Sequence, residues 1–92
     1  MYLEIVTPEA TLFSGDVDSV AVPGINGEFQ MLNNHAPIVS LLGKGTVKIY
    51  GEIKLSKGVK DKFTKGDKNE TLLAIQSGTI EMSANKVIVL AD

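Results

Sequence analysis

Cysteine, arginine and tryptophan are absent from the 92-residue chain, and histidine occurs once. Each absence removes a class of function. Without cysteine there is neither a disulfide framework nor a thiolate metal site, so a fold this small has to stand on packing or on a partner; a reducing compartment fits. All nine basic residues are lysine, so the planar fork that reads phosphates and guanine edges bidentately is missing. With a net charge of −2 and a pI near 5.3, nucleic acid is not an expected partner. His35 alone cannot make a multi-histidine metal site, and no other metal or cofactor motif accompanies it. No apolar run approaches the roughly 20 residues of a membrane span. The opening Met1-Tyr2-Leu3-Glu4 carries no basic, apolar leader. Direct membrane insertion is not expected, and any membrane association has to come through another protein.

What is present reads as one small globular domain over residues 1–92, with 43% apolar and 22% charged residues. Val47, Ile49, Gly51, Ile53 and Leu55 share one parity and Lys48, Tyr50, Glu52 and Lys54 the other, which predicts a half-buried strand over Val47–Leu55. Shorter β-branched or apolar runs predict further strands at Leu3–Val6, Ser19–Val22, Glu28–Leu32, Leu72–Gln76, Thr79–Met82 and Val87–Leu90, each bounded by turn residues. No apolar stripe of helical period is sustained. The expected fold is all-β, a sandwich or barrel. Pro23-Gly24 suits the centre of a type II turn and Ile25-Asn26-Gly27 continues the reversal, so strands ending at Val22 and starting near Glu28 are expected to pair as a hairpin. Ser14-Gly15 reads as a turn followed by Asp16 and Asp18. The lysine-rich run from Ser56 to Glu70 reads as a solvated hairpin tip.

Catalytic motifs are missing. No Gly-x-Ser-x-Gly elbow accompanies His35, and a hydrolase built on this histidine would need a nucleophile and an orienting acid beside it. Gly43-Lys44-Gly45-Thr46 fails the phosphate-loop spacing because a glycine separates lysine from threonine. A free-standing binding module for a sugar or peptide would want exposed aromatics, and two Tyr and three Phe offer few. The chain is expected to be a non-catalytic docking module of a larger assembly.

The segment Glu28-Phe29-Gln30-Met31-Leu32-Asn33-Asn34-His35-Ala36-Pro37-Ile38-Val39 stands out, with strand, turn and second strand around a polar corner. If the chain reverses at Asn33-Asn34, Glu28 and His35 could share one side and face a partner. Alternatively Asn33, Asn34 and His35 hydrogen-bond the turn's own backbone.

Six short motifs occur in order along nearly the whole chain: Thr7-Pro8-Glu9, Phe13-Ser14-Gly15, Pro23-Gly24, Gly27-Glu28-Phe29, Asn34-His35-Ala36-Pro37 and Val89-Leu90-Ala91-Asp92. In these the chain resembles the N-terminal β-sandwich domain of the epsilon subunit of F-type ATP synthases. Gln30 and Asn33 stand where the family usually has glycine and proline, and Ser77-Gly78-Thr79 replaces a double glycine, which is expected to alter a bend in that strand. The resemblance implies a two-sheet β-sandwich of about ten short strands that is a rotor part of the central stalk, peripheral on the cytoplasmic side of the bacterial inner membrane, with the gamma subunit and the c-ring as partners and no cofactor. It implies Glu28, Met31, Asn34 and His35 as partner-contact candidates, with Phe29, Met31 and Leu32 supplying core or gamma-facing apolar surface. The family commonly continues into two helices associated with autoinhibition and, in some members, with ATP binding. A chain ending at Asp92 is expected to have neither property.

Overall fold

Alternation of apolar and polar residues along short extended runs decides which side of each strand turns inward. The computed structural model describes residues 1–92. It contains ten strands: β1 Tyr2–Val6, β2 Thr11–Asp16, β3 Ser19–Gly24, β4 Gly27–Met31, β5 Ile38–Leu42, β6 Gly45–Tyr50, β7 Phe63–Lys65, β8 Thr71–Ile75, β9 Gly78–Ser83 and β10 Lys86–Ala91. They form one curled sheet in the order β2-β1-β10-β9-β5-β3-β6-β8-β7, with β4 paired to β3. The expected all-β sandwich is thus present, its two layers continuous through a single bridge, Gly24 opposite Leu42.

β1 and β10 pair in parallel, Leu3 opposite Val87 and Ile5 opposite Val89, which joins the two ends of the chain. The other pairs are antiparallel. Leu3, Ile5, Val20, Val22, Met31, Val47, Ile49, Ile80, Val87 and Val89 are inaccessible to solvent and belong to one core. Burying a side chain of this size contributes about 1.5–3 kcal/mol. A register shift between Ile5 and Val6 lets β2 turn both Leu12 and Phe13 inward, the effect of a β-bulge on strict alternation.

Several local expectations are corrected. Pro23 and Gly24 lie inside β3, opposite Glu28 and Gly27, and the reversal is the two-residue Ile25-Asn26 loop. Gly27, at φ +123, supplies the backbone freedom there. Ser14 and Gly15 are strand residues opposite Glu4 and Leu3; the chain turns afterwards, at Val17-Asp18. The strand predicted over Val47–Leu55 ends at Tyr50, because Gly51 at φ +117 bends the backbone out of the ladder while the carbonyl of the preceding Tyr50 accepts from the Asp18 N–H. Ile53 and Leu55 keep their inward parity and pack on the core from outside any strand.

Ser56–Glu70 is more than a solvated tip. It holds a 3-10 turn at Lys60–Lys62 and strand β7, with Phe63 buried and Val59 packed on the core, while its lysines stay exposed. β9 pairs in unbroken register with both β10 and β5, so Ser77-Gly78-Thr79 introduces no bulge into either ladder.

Candidate docking surfaces

The polar corner is a β-turn closed by the His35 N–H donating to the Leu32 carbonyl at 3.1 Å, with Asn34 at φ 62. Asparagine tolerates this left-handed conformation better than most residues. The chain therefore reverses at Asn33-Asn34. The asparagines bond away from their own turn: the Asn34 N–H donates to Asn85 Oδ1 at 2.8 Å, and Asn85 Nδ2 donates to Asn33 Oδ1 at 2.8 Å. The Asn85 carbonyl in turn accepts from the Tyr2 N–H at 3.1 Å. Asn33, standing where the family usually has proline, is one half of this clamp.

His35 is exposed, and its Nδ1–H donates to the Ala36 carbonyl at 2.7 Å. That bond fixes the proton on Nδ1 and leaves Nε2 facing solvent. No nucleophile or carboxylate hydrogen-bonds the ring, so the elements of a hydrolytic triad are not assembled around it.

Glu28 does not share this corner. It sits at the opposite end of β4, beside the Ile25-Asn26 loop, where its carboxylate accepts from Lys48 Nζ at 3.0 Å across β3. At about 3.3 Å per residue, β4 alone separates Glu28 from Met31 by roughly 10 Å, with the corner beyond. The Lys48 amine is held above its ordinary 10.5, first by the hydrogen bond to Glu28 and then by that carboxylate's charge. Between the two ends, Gln30 Nε2 donates to Ser19 Oγ at 3.0 Å, so a side chain in place of the usual glycine is accommodated. Met31 is a correction: it is fully buried in the core and has no surface to offer a partner. Of the apolar candidates in this segment, Leu32 alone is strongly exposed, at 58%; Phe29 packs partly on the core.

A third surface had no place in the sequence reading. Val39 is 76%, Leu41 58% and Leu90 51% exposed. Pairing sets Leu41, Thr79, Leu90 and Val6 side by side across β5, β9, β10 and β1, on the face opposite the core. Val6, Pro8, Leu41, Gly78, Thr79 and Leu90 line a groove of about 600 Å³ at the end of this face. Its rim carries Asp92, whose carboxylate accepts from the Ser77 hydroxyl. The signal was in Ile38-Val39-Ser40-Leu41-Leu42 and Val87-Ile88-Val89-Leu90, runs apolar on both parities, which is the pattern of strands covered on both faces.

The model of the ATP synthase delta/epsilon chain β-sandwich domain matches residues 1–92. The chain belongs to this family. It is 41% identical over 92 residues to the ATP synthase epsilon chain of Campylobacter curvus, covering all of this chain and 60% of that one. To the ATP synthase epsilon chain of Chlorobaculum tepidum it is 37% identical over 90 residues, covering 98% of this chain and 86% of that one. Among solved structures, the central stalk and c-ring of the Tetrahymena thermophila mitochondrial ATP synthase contains a chain of the same fold. That match has a TM-score of 0.73 at 16% identity, over 99% of this chain and 62% of the other. The sandwich family thus accounts for the whole 92 residues, while several relatives are longer than the part they share with it.

Proposed function

We propose that the chain is a non-catalytic rotor subunit of a rotary F-type ATP synthase, docking the gamma subunit to the c-ring and coupling ion flow to ATP synthesis. One observation supports the reading: the two polar contact candidates lie toward opposite ends of one strand, β4, on a sandwich that also bears an exposed apolar face. A part that bridges two partners needs separate surfaces on a body that does not shear between them, and a close-packed sandwich core transmits force with little compression. His35, with Asn34 beside it in the corner, and the apolar face of Val39, Leu41 and Leu90 are the gamma-facing candidates. Glu28, at the hairpin end, is the candidate for the polar loops of the c-ring. In this reading the chain is peripheral on the cytoplasmic side of the bacterial inner membrane and held there through its complex.

The test is a pull-down of the purified chain with the gamma subunit of the same organism and, separately, with the c-ring in detergent. His35→Ala is expected to weaken capture of gamma and Glu28→Ala capture of the c-ring, each leaving the other partner's binding near wild type. A wild-type chain that captures no folded gamma subunit would return the reading to a free-standing binding sandwich.

A further inference from the structure

The net charge of −2 conceals a division. Residues 1–43 hold five acids and no lysine, whereas residues 44–70 hold eight of the nine lysines against four acids. Those eight lysines lie on β6, β7 and their connections, in the layer of β4, β3, β6, β8 and β7, whereas the layer of β2, β1, β10, β9 and β5, which bears the apolar face, holds Lys86 alone. Beside the row Leu41, Thr79, Leu90 and Val6 runs a second, two residues along each strand: Val39, Glu81, Ile88 and Glu4. Glu81 and Glu4 straddle Ile88, and neither forms an ion pair; Lys48–Glu28 is the chain's single salt bridge. Lys86, the one lysine of this layer, lies over the Tyr2 ring at 5.7 Å.

A partner that covers the apolar rows removes water from these two carboxylates as well, and an unpaired carboxylate taken out of water opposes association. We infer that the partner of this face is an amphipathic helix lying across the strands, with lysine or arginine two turns apart flanking its apolar ridge. The inference rests on the gamma subunit being the partner and names the chemistry of the surface it brings. The spacing follows from geometry. Glu81 and Glu4 are two strand intervals apart, about 10 Å, and helix positions i and i+7 are about 10.5 Å apart. Apolar side chains at i+3 and i+4 then meet Ile88 and Leu90. A second copy of the chain fits poorly, since each face brings Glu4, Asp16 and Glu81 against one lysine, and like charges would be apposed.

The experiment measures affinity of the purified gamma subunit for the full chain at low and high salt. The wild type is compared with Leu41→Asp, Glu81→Gln, Glu81→Lys and Glu4→Gln, each checked for an unchanged circular-dichroism melt. All the replaced side chains point away from the core. Leu41→Asp is expected to abolish binding, Glu81→Lys to weaken it by more than about tenfold, and each Gln variant to weaken it several-fold and flatten its salt dependence. If Leu41→Asp abolishes binding while both Gln variants bind as tightly as wild type with the same salt dependence, the basic helix is refuted and the docking face survives. If the wild type does not bind gamma, both readings fall.

Discussion

The two ends of β4 are held by different physics. At the His35 corner, neutral amide hydrogen bonds of 2.8 Å tie Asn33 and Asn34 to Asn85, about fifty residues away in the chain. At the Glu28 end, one exposed ion pair reaches from β4 to β6. Amide bonds are directional and insensitive to salt, so they fix the geometry of the corner. An exposed ion pair is screened and contributes little, which leaves its carboxylate available to exchange its partner.

Breaking what both ends share should have the largest effect. Met31 anchors β4 in the core, and Met31→Ala is expected to cost about 2–5 kcal/mol, read as a lowered urea midpoint, with both ends loosened together. Asn85→Gly separates them. Glycine accepts the φ of 61 but deletes the clamp, and a loss of about 1 kcal/mol of local order is expected. It should appear as faster hydrogen exchange at the Asn34 amide, with the Glu28 end unchanged. Equal loosening at both ends would mean that the clamp is not local. Its neighbour Ala84, at φ 50, lacks the tolerance for this conformation that Asn85 has. Ala84→Gly should therefore stabilise the β9–β10 turn by about 0.5–1 kcal/mol, a rise of a few degrees in Tm, and tighten the corner alone.

The smallest effect concerns the ion pair. Because folding raises the Lys48 pKa, the pair's contribution is fully present below the ordinary 10.5 and is lost as pH rises through the higher folded value. In Glu28→Gln the Lys48 titration, followed by NMR, should move back down toward 10.5. A midpoint unmoved by the substitution would assign the shift to some other neighbour.

Strand positions were largely legible because period-two alternation is local: Leu3–Val6, Ser19–Val22, Thr79–Met82 and Val87–Leu90 each fall within β1, β3, β9 and β10. The errors cluster where backbone geometry overrides pattern. Gly51 ends a strand that the alternation carries on to Leu55, and Phe63 starts one inside a run that composition marks as loop. Of the site, the turn at Asn33-Asn34 was readable, since asparagine pairs invite reversal. Glu28 and His35 were not correctly related, although the strand predicted over Glu28–Leu32 already sets them at opposite ends of an extended run that rises about 3.3 Å per residue.

By itself the sequence determined the all-β class, the lack of cysteine and arginine chemistry, the turn at the corner and the family. All of these rest on residue identity and short-range spacing. The tertiary structure alone decided that β1 pairs with β10, that Asn85 holds the corner, that Met31 is core, and that Val39, Leu41 and Leu90 form one outer face. Each of these depends on register between strands far apart in sequence, and that register is set only when the whole core packs at once.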